Sequence, residues 1–244
     1  IYLFAFASDN DGTAGNSGPA ASREGPRRSK ITPSNSPRCL QLAIFEFENF
    51  RGKKVQLSGE CKDVLEKAQR VGSVIVESGP WVGFEHPGYV GEQYVLEKGE
   101  YPRWSTWTNC QRNYNMSSFR PLKVDSSEHK LHLFENEGYE GRKMEIVDDD
   151  VPSLWAYGFQ DRVASAKVIN GTWVGYMYPG YRGCQYVFEH GEFKHWNNWG
   201  ATAPLIQSVR RVRDMQWHKR GSVEPAPTAA ATNQKPPPFI TFET

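Results

Sequence analysis

Short segments in which apolar and polar side chains alternate recur through the middle of the chain and predict β-strands. Four clear examples are residues 55–57, 74–76, 94–96 and 131–133. Each is β-branched or alternating and is bounded by Gly, Pro, Asn or Ser, a pattern typical of strands joined by tight turns. Helical patterns are few: residues 61–70 have no clear 3.6-residue period, and residues 152–155 predict one short helical turn. We therefore expect an all-β fold.

A long internal repeat lies in the same region. Residues 79–107 and 171–199 align without a gap, and 16 of the 29 positions are identical. The identical pairs include Trp81 with Trp173, Gly83 with Gly175, Gly91 with Gly183, Tyr94 with Tyr186, Glu97 with Glu189, Trp104 with Trp196 and Trp107 with Trp199. Because chance does not give such identity, the central part of the chain is a duplication.

A shorter pattern occurs four times: an aromatic residue, four residues, a second aromatic residue, one residue and a glycine. The copies are Phe45, Phe50 and Gly52; Phe84, Tyr89 and Gly91; Phe134, Tyr139 and Gly141; and Tyr176, Tyr181 and Gly183. A serine follows each glycine by 21 to 27 residues: Ser73, Ser118, Ser165 and Ser208. We expect the glycine to supply a positive φ in a folded hairpin, the rings to cover that hairpin, and the serine hydroxyl to bond its free backbone groups.

Four copies of this unit predict four Greek keys, which pair into two domains, each a β-sandwich of two keys. The expected divisions are keys 41–79 and 80–122 in a first domain of residues 39–122, a linker at 123–129, and keys 130–171 and 172–215 in a second domain of residues 130–220. Residues 9–38 are rich in Gly, Pro, Ser and charged side chains and residues 221–238 are rich in Pro, which predicts flexible arms at 1–38 and 221–244. The last stretch of the second arm, residues 239–242, is apolar.

Composition narrows the function classes. The 244 residues include 29 Lys and Arg against 28 Asp and Glu, so the formal net charge of +1 argues against a strongly basic nucleic-acid binder. The longest apolar run, residues 1–7, is far shorter than the ~20 residues of a membrane span. The cysteines at 39, 61, 110 and 184 have no CxxC spacing, so we expect free thiols, with a disulfide framework as the alternative.

No sequence signature of catalysis is present, and we expect neither an enzyme nor a cofactor. The chain has no GxSxG, HExxH, GxGxxG or GxxxxGK[ST]. His129 and His132 are three apart on a strand-like stretch, which favours solvated histidines over a metal site. The basic cluster of Arg210, Arg211 and Arg213, with Lys219 and Arg220, is interpreted as a solvated strand edge. The repeated tryptophans predict core or inter-domain packing, with a sugar-binding face as the weaker hypothesis.

The four ring-and-glycine units with their trailing serines resemble the Greek-key motif of the βγ-crystallins. The resemblance runs from about residue 39 to residue 217, and the stretches WVGFEHPGYVGEQYVLEKGEYPRW, DDDVPSLWAYGFQDRVAS and NGTWVGYMYPGYRG are similar to the basic, B-type β-crystallins of the vertebrate lens. It implies two βγ domains and a structural role in the lens, raising refractive index and maintaining transparency. It also implies homodimers and hetero-oligomers with other β-crystallins in the cytoplasm of lens fibre cells, with no nucleic-acid or membrane partner.

The same resemblance raises an alternative function, that of a Ca²⁺- or carbohydrate-binding βγ domain. Some βγ domains bind Ca²⁺ through two Asn or Asp residues, two free positions, Ser or Thr, and Ser. Residues 113–118 carry Tyr114 at the second position, and residues 160–165 lack the first position and one hydroxyl, so we expect at most weak Ca²⁺ binding. The run Asp148, Asp149 and Asp150 is interpreted as a solvated turn. The sequence leaves open whether the linker pairs the domains within one chain or between chains.

Overall fold

The computed structural model describes residues 40–110, 114–160, 162–213 and 240–243. These residues form strands β1 (Gln41–Phe47), β2 (Arg51–Leu57), β3 (Ser73–Ser78), β4 (Trp81–His86), β5 (Val90–Leu96), β6 (Gly99–Tyr101), β7 (Ser118–Pro121), β8 (Lys130–Phe134), β9 (Lys143–Val147), β10 (Ser165–Asn170), β11 (Trp173–Tyr178), β12 (Arg182–Phe188), β13 (Gly191–Phe193), β14 (Ser208–Arg211) and β15 (Ile240–Glu243). The helical segments are short 3₁₀ turns at Trp104–Thr106, Glu137–Tyr139, Trp155–Tyr157 and Trp196–Trp199. The predicted all-β fold is confirmed.

Two sheets made from both keys form the first domain. One sheet has the order β2-β1-β3-β6, and the other contains β5-β4-β7; every pairing is antiparallel. The keys interlock, because β6 of the second key pairs with β3 of the first. In return, Cys61 of the first key bridges to Phe119 on β7. Each sheet therefore depends on residues from both halves of the domain, so neither key can bury its apolar face alone.

The second domain repeats this arrangement. Its sheets have the orders β13-β10-β8-β9-β15 and β14-β11-β12, and Val151 bridges to Val209 where Cys61 bridges to Phe119 in the first domain. A single residue pair, Gln93 with Gln185, joins β5 to β12. The inner sheets of the two domains thus form one antiparallel series, β14-β11-β12-β5-β4-β7.

Each domain has its own aromatic-rich core between its two sheets. Trp81, Tyr94 and Phe119 lie within 1% of full burial in the first, and Trp173, Phe159 and Phe188 are fully buried in the second. Burying such rings contributes about 1.5–3 kcal/mol each through the hydrophobic effect. The predicted packing role of the repeated tryptophans is confirmed: Trp107 and Trp199 are buried, and Trp104 and Trp196 pack against the cores.

The strands predicted from the sequence lie where expected, and two local elements differ. The helical turn predicted at residues 152–155 occupies Trp155–Tyr157 instead, and it ends where Gly158 turns left-handed and donates its N–H to the Trp155 carbonyl. Residues Ile240–Glu243, in a segment expected to be a flexible arm, form β15 against β9. The unpaired backbone groups at the edge of β9 are a ready template for such a strand. The remaining residues of both expected arms lie outside the described residues.

Candidate functional site: stapled hairpins and the domain interface

The four serines of the repeated pattern hold the four hairpins in the same way. Each hydroxyl accepts a hydrogen bond from the N–H of the second ring residue and donates one to a carbonyl earlier in the hairpin. The accepted bonds are Phe50 to Ser73 (2.9 Å), Tyr89 to Ser118 (3.0 Å), Tyr139 to Ser165 (3.0 Å) and Tyr181 to Ser208 (3.1 Å). The donated bonds reach the carbonyls of Phe47 (2.6 Å), His86 (2.7 Å), Asn136 (2.5 Å) and Tyr178 (2.7 Å). All four serines are fully buried, so each satisfies two backbone groups that water cannot reach.

Ring pairs cover each hairpin. The centroid separations are 5.7 Å for Phe45 and Phe50, 5.6 Å for Phe84 and Tyr89, 5.6 Å for Phe134 and Tyr139, and 5.8 Å for Tyr176 and Tyr181. Their interplanar angles lie between 55° and 67°, an edge-to-face or tilted geometry that the ring quadrupoles favour. The two rings of each unit therefore lie together over the same bend.

The glycine of each unit has a positive φ: Gly52 (83°), Gly91 (89°), Gly141 (77°) and Gly183 (84°). A Cβ at these positions would lie 2.5 to 2.9 Å from a neighbouring side-chain atom, closer than real Cβ atoms approach. Both the backbone conformation and the space therefore require glycine at these bends.

The second ring of each unit is also left-handed, which the sequence pattern did not predict. Phe50, Tyr89, Tyr139 and Tyr181 have φ values between 60° and 71°. A bulky residue rarely adopts this conformation and loses about 1–2 kcal/mol by doing so. The serine hydroxyl that accepts the N–H of this residue is what holds it there. The regular ring-x-glycine spacing was the available signal, but spacing alone does not report the sign of φ.

An apolar patch from each domain meets at the domain interface. Val82, Phe84 and Val95 of the first domain cluster with Val174, Tyr176 and Val187 of the second. The linker adds Val124, which is 3% exposed. Within this chain, therefore, the linker brings the two domains against each other.

Two glutamines cross the interface in a near-symmetrical exchange. Gln93 donates to the Trp199 carbonyl (2.9 Å) and accepts from Val187 N–H (3.0 Å). Gln185 donates to the Trp107 carbonyl (2.8 Å) and accepts from Val95 N–H (3.0 Å). Both are among the identical positions of the long repeat, and that identity was the sequence signal for them.

Two ion pairs cross the interface with the same symmetry. A nitrogen of Arg120 lies 2.9 Å from a Glu189 oxygen, and a nitrogen of Arg210 lies 2.9 Å from a Glu97 oxygen. Each glutamate also accepts a backbone N–H, from Lys123 (2.9 Å) and Arg213 (2.7 Å) respectively. These side chains are only 21–25% exposed, so solvent weakens the pairs less than it does at an open surface.

The basic cluster is not simply the solvated strand edge that the sequence predicts, because Arg210 pairs with Glu97 across the interface and Arg211 and Arg213 pair with Asp150 of the acidic run. Arg211 and Arg213 lie 3.0 and 3.2 Å from oxygens of Asp150, while Asp148 accepts the His129 N–H at 2.7 Å. Burial alone would raise the pKa of Asp150, but hydrogen bonds from Arg211 and Arg213 outweigh burial and hold it below its ordinary value. Arg211, Arg213 and Asp150 therefore form a paired surface within the second domain.

The candidate Ca²⁺ patterns are only partly described, because Asn113 and Asp161 lie outside the described residues. The terminal hydroxyls of the two patterns, on Ser118 and Ser165, are occupied by the hairpin bonds. Among the described residues, no group of three or more His, Cys, Asp or Glu side chains is arranged to hold a metal ion. The weak-binding expectation therefore stays a prediction. Among the described cysteines, Cys61, Cys110 and Cys184 are free thiols, as the sequence predicted.

Burial also sets the titration of groups around the interface. It raises the pKa of Tyr101 to about 12, although a backbone hydrogen bond with Glu97 opposes the shift. The Tyr176 phenol, which accepts from Arg210 at 2.9 Å, also has a raised pKa because burial outweighs the arginine. The phenols therefore remain neutral at physiological pH and act as hydrogen-bonding and packing groups.

In the described part of the chain, none of the helices has the length and apolar character needed to cross a membrane.

Comparisons with known proteins agree with this architecture. The family described as Beta/Gamma crystallin matches residues 41–122 and 130–212. Beta-crystallin B3 of Gallus gallus is 64% identical over 185 residues, which cover 75% of this chain and 88% of that protein. Human Beta-crystallin B3 is 61% identical over 182 residues (74% and 86%), and bovine Beta-crystallin B1 is 57% identical over 186 residues (76% and 74%). The sequence interpretation as a B-type β-crystallin is confirmed. The chain belongs to the βγ-crystallin family.

Proposed function

We propose that the chain is a structural β-crystallin of the eye lens, which stays folded and dispersed at high concentration, raises refractive index and maintains transparency. The observation that carries this proposal is the fourfold serine-stapled hairpin, with N–H to hydroxyl distances between 2.9 and 3.1 Å in all four copies. At these bends the buried serine hydroxyls satisfy backbone hydrogen bonds, as expected of residues whose role is to stabilise the fold. We assign structural positions accordingly to the rings, glycines and serines of the four units.

The proposed role requires a high refractive index and a stable fold. Aromatic residues make up 13% of the chain, and polarizable rings raise refractive index. A domain of about 85 residues is only marginally stable alone, so burial of the patch between the two domains stabilises both. We place these domains at residues 39–122 and 130–220, joined by the linker 123–129. Like its β-crystallin relatives, the chain is proposed to be a structural protein and not an enzyme.

We further propose that the chain forms homodimers and hetero-oligomers with other β-crystallins in the cytoplasm of lens fibre cells. A formal net charge of +1 gives too little repulsion to keep chains apart. Defined contacts between subunits, together with the arms, would then limit uncontrolled association. Neither nucleic acid nor membrane is a partner in this proposal.

Light scattering at several concentrations tests the assembly. The full chain alone is expected to have a mass above that of one chain, and mixing with an acidic β-crystallin is expected to give a new species. The proposal would be contradicted if the chain had the mass of a monomer at every concentration and formed no new species with the acidic β-crystallin. Deleting residues 1–38 and 222–244 is expected to lower solubility or change oligomer size, and unchanged values of both would exclude a role for the arms.

A further inference from the structure

Two cysteines from different domains meet at one edge of the domain interface. The Asn109 side-chain oxygen accepts the Gly183 N–H at 2.8 Å, which joins the residues that precede Cys110 and Cys184. The Cys184 thiol donates to Glu92 Oε1 at 3.3 Å, a second contact between the domains. Both cysteines are half-buried. The fold thus brings two cysteines that are 74 positions apart in the chain to the same edge of the interface.

A cavity of about 580 Å³ opens onto this thiol pair. Both cysteines line it, together with Met177, Tyr178 and Arg182. Its volume falls within the range of small-molecule sites. The exposed Arg182 guanidinium provides a positive group for the carboxylates of a small peptide. The thiols are therefore accessible to a small anionic disulfide.

We propose that Cys110 and Cys184 form an interdomain disulfide when the protein meets a low-molecular-weight disulfide such as glutathione disulfide. The bond would join the first domain to the second covalently, in addition to the linker. It concerns oxidation of this chain and is independent of the proposed optical role.

The two cysteines have different parts in the exchange. Burial and the neighbouring Glu92 carboxylate raise the pKa of the Cys184 thiol, so its thiolate is disfavoured. Since the Cys184 thiol also donates its proton to Glu92, we assign the first attack to Cys110: its sulfur bonds to one sulfur of glutathione disulfide, the S–S bond breaks, and one glutathione leaves with the proton that Cys110 gives up.

Cys184 then resolves the mixed disulfide. Its proton passes to Glu92 Oε1, its sulfur bonds to the Cys110 sulfur, and the second glutathione leaves as a thiolate that takes up a proton. In total, two protein thiols are oxidised to one disulfide while one glutathione disulfide is reduced to two glutathione molecules.

Mass spectrometry of the full chain treated with glutathione disulfide tests this assignment. The intact chain is expected to lose two hydrogen atoms, and a non-reducing peptide map is expected to link Cys110 to Cys184 within a single chain. Cys184→Ser is expected to leave one glutathione on Cys110, whereas Cys110→Ser is expected to leave Cys184 largely unmodified. Cys61→Ala, which removes a thiol that is only 5% exposed, is the matched control and is expected to leave the linkage unchanged.

Different outcomes overturn the proposal at different steps. A stable glutathione adduct on wild-type Cys110 would show that Cys184 does not resolve it, and a link to Cys39 or to a second chain would show that the pair is not the one assigned. A shift of the urea midpoint to higher concentration on oxidation, absent in Cys184→Ser, is the expected sign of a lock between domains. An unchanged midpoint in oxidised wild-type protein would show that the disulfide does not stabilise the two domains against unfolding, and it would overturn that part of the proposal.

Discussion

The two domains share a backbone but differ at one corner of their cores. Strand pairing makes Leu40 the counterpart of His129, since each directly precedes the first strand of its domain. A Cβ on Gly79 would collide with Leu40, and one on Gly171 would collide with His129. His129 packs edge-on against Trp173 at 5.8 Å, whereas Leu40 packs against the apolar cluster that contains Trp81. Equivalent spaces in the two domains are thus filled by an apolar side chain in the first domain and by a titratable ring in the second.

A second pair of positions repeats this difference. His132 pairs across strands with Glu145, and the equivalent residues of the first domain are Ala43 and Gln56. The His132 Nε2 lies 3.0 Å from a Glu145 oxygen, and Lys130 is close to the same carboxylate. Duplication has therefore kept the stapled bends while the surrounding chemistry has diverged. The domains should respond alike when a bend is altered and differently when the pH changes.

Valine at a bend glycine should have the largest effect, and it should be similar in both domains. Gly91→Val and Gly183→Val each place a β-branched residue at a φ above 80°, against Glu85 Cβ at 2.9 Å and Tyr178 Cδ2 at 2.7 Å respectively. We expect each to lower the free energy of unfolding of its domain by about 3 kcal/mol, combining backbone strain with overpacking. Urea unfolding followed by tryptophan fluorescence measures both.

Gly88, in the same hairpin as Gly91, allows the cost of backbone strain to be measured apart from the cost of a side-chain collision. Gly88 has a φ of 76°, but a Cβ there meets nothing within 4 Å. Gly88→Ala should therefore lose only the conformational part, about 1 kcal/mol. If Gly91→Val and Gly183→Val differed widely, or matched Gly88→Ala, the bends would not be equivalent tight sites.

Loss of a staple hydroxyl should have a somewhat smaller effect, again alike in the two domains. Ser118→Ala and Ser208→Ala each leave one ring N–H and one carbonyl without the hydroxyl that pairs them. We expect each to cost about 2 kcal/mol, the penalty for buried unpaired backbone groups. Thermal and urea unfolding measure the loss, and Ser105→Ala, at an exposed position, is the control with no expected change. Wild-type stability in either staple variant would exclude this role for the serine.

The repeated chemistry of the bends could be predicted from the sequence because each bend is local. The ring, glycine and serine positions follow a fixed spacing, and glycine is the residue that a positive φ requires. The left-handed rings could not be predicted in this way. An aromatic residue disfavours positive φ, and only the serine bond from a strand more than 20 residues away holds it there.

The contacts across the domain interface could not be predicted from the sequence. Gln93 and Gln185 are identical in the repeat, but identity alone does not indicate that each bonds to the other domain. The pairing of Cys110 with Cys184 had no local signal, because it depends on how two domains rest against each other. The His129 corner was interpreted as solvated histidine, whereas the structure buries that ring to 8% exposure. Its burial depends on Gly171, which leaves the space that the ring fills.

Acidification should have the smallest effect, and it should distinguish the domains. Burial lowers the pKa of His129, and the nearby Arg211 adds to the lowering, while the Ser127 carbonyl and Asp148 oppose it. Burial also lowers the pKa of His132, with Lys143 and Lys130 adding to the effect and Glu145 opposing it. In the unfolded chain both histidines titrate near the ordinary value of 6.5.

The sign of the pH effect follows from these shifts. Because the folded pKa is below the unfolded one, the unfolded chain takes up protons first as the pH falls through about 6.5, and the second domain loses stability there. The loss stops growing once the pH is below the folded pKa values. Urea unfolding at about pH 8 and about pH 5.5 should show this for the second domain.

An exchange of the corner residues gives the sharpest test of the comparison. His129→Leu should remove part of the pH dependence from the second domain, because a leucine there has no proton to gain. Leu40→His should introduce a similar loss on acidification into the first domain, since the ring would be buried against the equivalent core. The His129 Nε2 is buried without a hydrogen-bond partner among the described residues, and the Val212 backbone favours the charged ring less than burial disfavours it. Equal pH dependence of the second domain in wild type and His129→Leu would assign the effect to His132 and its carboxylate instead.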